Sequence, residues 1–186
     1  LNDPLWLQYL HFLGNLLQGD LGVSAITGYS VAKQVVNVLP YTLELTLAGI
    51  LLGYIFGVPM GISAAVRRNT FIDYFNRAFS LIGLSIPAFY LGILLILLFS
   101  IIFPIFPVVG GGDLTDLSDN LRHLALPALS LGLIMTAYIT RMTRSSILDI
   151  IRDDYVRTAR SKGVSEKLIL YKHVLRNALI PIVALG

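Results

Sequence analysis

Three long apolar runs dominate the chain. Leu45–Val66 covers 22 residues without a charge, Ala78–Gly112 covers 35, and Leu124–Thr140 covers 17. A helix needs about 20 apolar residues to cross the ~30 Å hydrocarbon core of a bilayer. The pattern therefore predicts three spanning helices, at residues 41–66, 78–103 and 124–145, in an all-α, polytopic transmembrane bundle. Another apolar run, "NALIPIVALG", opens after Arg176 and reads as the start of a further span over 177–186. Ten helical residues rise only about 15 Å, so the chain reads as a fragment, with helices expected after Gly186.

Polar positions inside these runs are few and patterned. The first span carries Gly49, Gly53, Gly57 and Gly61 at a spacing of four. Small residues at that spacing let two helix backbones approach closely, and this stripe reads as a packing face. Pro59 is expected to bend the inner end of that span. Glu44 is the only acid within the expected spans. It lies about one turn inside the expected helix, where a carboxylate suits a helix N-terminus. The second span sets Ser80, Gly83, Pro87 and Tyr90 on one face, with a kink at Pro87. The third sets Thr136, Thr140 and Thr143 on one face. Two readings fit these polar stripes. Ser80, Pro87 and the three threonines line a path, or they bond their own backbone and a neighbouring helix.

Before the first span, "NDPLWLQYLHFLGNLLQGD" predicts a short helix within an external segment over 1–40. Asp3 suits its cap, Pro4 its first position and Gly19 its exit. Gln8, His11, Asn15 and Gln18 fall on one stripe of an otherwise apolar surface. Such a helix fits the outer membrane surface with Trp6 among the headgroups, or packing against other parts of the protein.

Composition sharpens the class. Hydrophobic residues make up 55% of the chain and charged residues 13%, against about 25% charged in soluble domains. Nine of the fourteen basic residues lie between Arg141 and Arg176, and Arg67, Arg68 and Arg77 flank the first two spans. Ile102–His123 holds three aspartates and one arginine, and residues 1–40 hold two aspartates and a single basic residue, Lys33. Basic loops stay cytoplasmic. The two basic loops are therefore placed inside, and "GGGDLTDLSDN" and the N-terminal segment outside. No cysteine is present, which excludes disulfide and thiol chemistry.

The stretch over 153–176 is organised beyond a basic loop. "DDYVRTARSKG" predicts a helix with acids at its start, cations toward its end, and Gly163 at a left-handed exit. "SEKLILYKHVLRNAL" predicts the next helix, capped by Ser165. This helix–glycine–helix element resembles the cytoplasmic "EAA" loop of ABC-importer permeases. Ala159 and Gly163 match its Glu-Ala-Ala-x-x-Gly pattern, whereas Thr158 and Arg160 differ. "YVRTARSKG" followed by "HVLRNALIPIV" is similar to the peptide/nickel branch. So are "GDLGVS", "LPYTLEL", "GVPMG" and "LRHLALPALSLG". The likeness runs through nearly the whole chain and falls nearest the B-type chain of dipeptide and oligopeptide importers.

That resemblance implies the type I ABC-importer permease fold with six spans, one of them before Leu1. It implies a multi-pass chain of a bacterial or archaeal cytoplasmic membrane, surrounded by lipid. Expected partners are a second, C-type permease, two ATPase chains and an external substrate-binding protein, with no nucleic acid. Thr158, Ala159, Arg160, Lys162, Gly163, Val164 and Ser165 would be the ATPase-coupling surface. No Gly-x-x-x-x-Gly-Lys-[Ser/Thr] phosphate loop occurs in the chain, so ATP and Mg²⁺ are expected on the partner ATPases and no cofactor or catalytic residue here. Peptide is the expected cargo, with nickel or another small solute as the alternative. A secondary transporter would need ionisable groups near the midplane. A membrane-embedded enzyme is disfavoured because no His-Glu-x-x-His occurs, and His11, His123 and His173 are too scattered for a metal site. A purely structural membrane subunit is the third rival, and the sequence alone does not separate it from a translocation subunit.

Overall fold

The structure, a computed structural model, describes residues 4–184. Two compact units divide the chain, one ending at Glu44 and the other beginning at Leu45. In the first, α1 (Leu5–Leu17) has Pro4 at its N-cap and buries none of its residues. The cap expected from Asp3 lies outside the described residues. A turn follows, held by Asp20 Oδ1 accepting from Gly22 N and by pairing of Val23 with Ser30.

Helix α2 (Val31–Val66) starts ten residues earlier than the expected span. Glu44 therefore stands more than three turns from the helix start, not one, and the argument from the helix N-terminus does not apply to it. In the second unit follow α3 (Phe71–Ser85), α4 (Ala88–Ile96) with a π-helical continuation over Leu97–Ile102, and α5 (Leu117–Ile150). Next come α6 (Asp154–Ser161), α7 (Glu166–Leu168), a π-helical stretch over Ile169–Val174, and α8 (Leu175–Val183). Among the described residues, α2 and α5 are each long and apolar enough to cross a membrane.

The expected second span is broken, not merely kinked. Its halves, α3 and α4 with its continuation, meet at 96°. Pro87 has no N–H to give the helix, and its ring pushes the preceding residue out of helical geometry. Ile86 accordingly sits extended at φ −87°, ψ 123°. The exposed acids before α5 are engaged locally. Asp116 accepts from the backbone N–H groups of Ser118 and Asp119 at the helix start, and Asp113 accepts from Thr115.

The glycine stripe faces α5. A Cβ built on Gly49 would lie 3.2 Å from the Leu131 Cβ, and one on Gly53 2.6 Å from the Met135 Cβ. One on Gly57 would lie 2.8 Å from the Ile139 Cβ, and one on Gly61 2.5 Å from the Thr143 Cβ. Both rows advance by four residues and both ascend, so the helices run parallel along this seam. Elsewhere α5 gives way in turn: a Cβ on Gly132 would meet Leu52 at 2.8 Å. A Cβ on Gly83 of α3 would meet the Ala137 Cβ at 2.7 Å.

This packing corrects the reading of the threonines as path-lining. Thr136, Thr140 and Thr143 are 3%, 1% and 0% exposed. The Thr136 hydroxyl donates to the Gly132 carbonyl at 2.7 Å, and that of Thr140 donates to the Gly57 carbonyl at 3.3 Å. Gly61 and Gly57 expose bare backbone, and the threonines fill the space a side chain would occupy. Ser80 is also buried, at 3%. Pro87 is exposed at the break, so the two do not share a helical face.

Gly61→Ala is expected to destabilise the chain by about 1–3 kcal/mol, because the new methyl meets the Thr140 carbonyl as well as Thr143. Gly14→Ala, with nothing near its Cβ, is expected to be neutral or stabilising. Unfolding midpoints in detergent check the contrast; equal midpoints would mean the seam is loose.

Candidate functional site

The elbow after α6 is built by a glycine cap. Gly163 stands at φ +76°, a conformation that costs a residue with a Cβ about 1–2 kcal/mol. Its N–H donates to the Arg160 carbonyl at 2.9 Å, and the Val164 N–H donates to the Ala159 carbonyl at 3.2 Å. These paired bonds satisfy carbonyls that the helix end would otherwise leave bare, and they turn the chain sharply. Asp153 occupies the N-cap position of α6 and Ser165 that of α7. Neither side chain closes a capping bond, so both ends rest on backbone geometry.

A bidentate ion pair bridges the elbow. Arg160 Nε meets Glu166 Oε1 at 2.7 Å, and its Nη2 meets Oε2 at 3.1 Å. That hydrogen bonding is the main cause holding the Glu166 carboxyl below its ordinary range and the Arg160 guanidinium above its own. Thr158, Lys162, Gly163 and Ser165 are exposed around the turn. Ala159 and Val164 are partly buried and lean on a small apolar core.

That core fastens the elbow to the long helices. Val156 of α6 and Ile169 and Val174 of the π-helical stretch pack with Ile147 of α5, Ala65 of α2, and Leu175 and Ala178 of α8. Val156, Ile147 and Val174 are each 0% exposed. Polar bonds add to it. The Asn177 amide donates to the Tyr155 hydroxyl at 3.0 Å, and the Tyr54 hydroxyl donates to the Ile182 carbonyl at 2.5 Å. The helical run from Glu166 to Val183 has no break at Arg176. The second elbow helix and the expected start of the next span are one piece.

Sequence reasoning missed one residue pair. Asp73, in the first turn of α3 and 0% exposed, receives Arg144 Nε at 2.6 Å and Nη2 at 2.9 Å. It also accepts the Asn69 N–H at 3.0 Å. The pair ties the start of α3 to α5, one turn beyond Thr140. A lone acid in a basic interhelical loop was the available signal. Its partner lies 71 residues away, and no local pattern names it. Among the described residues, no cluster of His, Asp or Glu is placed to hold a metal ion.

Residues 57–185 match the family described as binding-protein-dependent transport system inner membrane component. The chain belongs to this family. It is 43% identical to the di/tripeptide transport system permease protein DppB of Pseudomonas aeruginosa, over 98% of this chain and 60% of that protein. It is 42% identical to the glutathione transport system permease protein GsiC of Escherichia coli, over 100% of this chain and 58% of that one. It is 42% identical to the oligopeptide transport system permease protein AppB of Bacillus subtilis, over 100% and 60%. The chain thus spans about three-fifths of the length of these relatives. The matched region contains α3 to α8, with Gly57 and Gly61 of the glycine stripe, so it takes in the elbow and part of the seam.

Removing Arg144 leaves Asp73 buried without its cation. Arg144→Met is expected to cost about 3 kcal/mol, and adding Asp73→Asn should recover much of it. A double-mutant cycle on unfolding midpoints checks this; additive losses would mean the pair is not coupled. Since the folded pKa of Glu166 is depressed, the contribution of its pair is fully present above the unfolded glutamate value. It is lost as pH falls through the lower folded value. Hydrogen exchange at the Gly163 and Val164 amides should therefore be steady near neutrality and rise only in acid, relative to Glu166→Gln.

Proposed function

We propose that the chain is a permease subunit of an ATP-driven peptide importer, and that its elbow receives the motion of partner ATPases. The observation that carries this reading is the elbow's construction. An exposed, glycine-capped turn, clamped by Arg160 and Glu166, is seated through a buried core on the inner ends of α2 and α5. A solvated loop needs none of this. In this reading the exposed surface of Thr158, Arg160, Lys162, Gly163 and Ser165 meets an ATPase chain, with Ala159 and Val164 beneath it as the seat. Closure of the ATPase pair displaces the elbow, and the core passes the displacement to α5 and α8. The chain itself performs no catalysis in this scheme; ATP and Mg²⁺ belong to the partner chains.

The parallel seam supports the topology. Two neighbouring spans that run in the same direction require the chain between them to cross back once. The bent pair α3 and α4 supplies that return crossing, where a re-entrant loop would have left α5 antiparallel to α2. The basic ends of α2 and α5 then share the cytoplasmic side, with the elbow. Peptide as cargo rests on the names of the relatives, which are di/tripeptide, glutathione and oligopeptide transport permeases. In this reading a second permease chain and an external binding protein complete the assembly, and the family description supports the binding protein.

Nothing lies within 4 Å of a Cβ built on Gly163, so a substitution there acts through backbone conformation and not through a clash. Gly163→Val strains the left-handed turn by about 1–2 kcal/mol, whereas Asn tolerates it. In the assembled transporter, Gly163→Val should insert normally yet lose peptide uptake and substrate-stimulated ATP hydrolysis together, and Gly163→Asn should keep both. Full activity of the valine variant would remove the elbow from the coupling route. Uptake assays with labelled dipeptide and with Ni²⁺ identify the cargo.

A further inference from the structure

A cleft of about 540 Å³ opens between α3 and α5, lined among others by Asn76, Arg77, Ser80, Arg141, Arg144 and Ser145. Its charge is unbalanced. Arg144 is neutralised by Asp73. Arg77 and Arg141 form no ion pair among the described residues. Each guanidinium instead rests on an aromatic ring, Arg77 5.7 Å from the Tyr74 centroid and Arg141 5.9 Å from that of Tyr138. Stacking of this kind holds a guanidinium plane in place while leaving its N–H edge free. The Ser80 hydroxyl lies in the wall, buried and without a hydrogen-bond partner.

We infer that this cleft holds the phosphate of an anionic phospholipid from the cytoplasmic leaflet. Two arginines without an ion pair ask for an oxyanion, since Asp73 is already held by Arg144, and Arg presents paired donors that match phosphate. What surrounds the cleft selects a lipid among oxyanions. Leu81 and Tyr74, in its wall, are 70% and 56% exposed, and Leu84 lines it beside them. An apolar flank of this kind suits acyl chains below a headgroup. The cleft also lies at the same basic end of the spans as Arg67 and Arg68, where positive charge meets the anionic leaflet. A soluble anion would gain from the arginines but nothing from the apolar flank. This inference does not depend on the peptide cargo or on coupling through the elbow.

The test uses native mass spectrometry of the purified chain in detergent, titrated with phosphatidylglycerol or phosphatidylcholine. Phosphatidylglycerol should be retained about tenfold or more over phosphatidylcholine, and Arg77→Gln/Arg141→Gln should abolish the preference. Ser145→Asp, which keeps both arginines and adds a repelling charge to the wall, should abolish it too. The control Arg67→Gln/Arg68→Gln should retain it. Equal retention of the two lipids in the wild-type chain would overturn the site. So would a preference untouched by both cleft variants, or one lost equally in the control. Displacement of the lipid by millimolar inorganic phosphate or diglycine would reassign the cleft to a soluble oxyanion and overturn the lipid.

Discussion

Helix α5 can lie where it does only because α2 presents bare backbone to it. At Gly61 a side chain would stand 2.7 Å from the Thr140 carbonyl oxygen and 2.5 Å from the Thr143 Cβ, closer than side chains approach. In a bilayer, lipid tails are as apolar as leucine, so spans gain little from burying grease against each other. Close packing and interhelical hydrogen bonds hold them instead. The seam uses both. Four glycines admit the α5 row from Leu131 to Thr143, and Thr140 bonds across to the Gly57 carbonyl. The remaining contacts inherit their register from this one. Ile147 reaches the elbow core one turn past Thr143, and Arg144 reaches Asp73 from the same turn.

The seam and the elbow are therefore one mechanical piece within the second unit. The buried atoms of Ala65, Ile147, Val156, Ile169 and Val174 link the last turns of α2 and α5 to both helices of the elbow. Interiors packed this closely transmit displacement with little compression. The soft point lies elsewhere. The break at Ile86–Pro87 interrupts the backbone bonding between α3 and α4. In the proposed coupling, motion arriving at the elbow would meet packed helices on one side and a jointed one on the other.

Local chemistry was legible in the sequence; pairings across the fold were not. The glycine spacing announced a close approach, and Gly163 with its flanking charges announced an elbow, because both signals sit within a few residues. The helix that fills the glycine groove could not be read, since any apolar span with suitable spacing would serve. The two readings of the threonines could not be separated for that reason. A polar stripe on an apolar helix looks the same whether it faces water or a bare backbone. The 96° break was read only as a kink, because Pro87 dictates the loss of a bond but not the direction the chain takes afterwards. Asp73 escaped notice because its meaning depends on Arg144, and the start of α2 was misplaced because Pro40 reads as a helix boundary, although Val31, Val35 and Leu39 before it keep helical spacing.

The central claim is that the elbow and α5 move as one body. The chain has no cysteine of its own, so spin labels can be placed at will. Labels at Lys162 on the elbow and Leu121 at the far end of α5, both exposed, report the distance between them by pulsed electron resonance. In the assembled transporter that distance should give one narrow distribution, unchanged between nucleotide-free and ATP-bound states. A distribution that broadens or shifts when ATP binds would mean the elbow moves independently of α5, and would contradict the account.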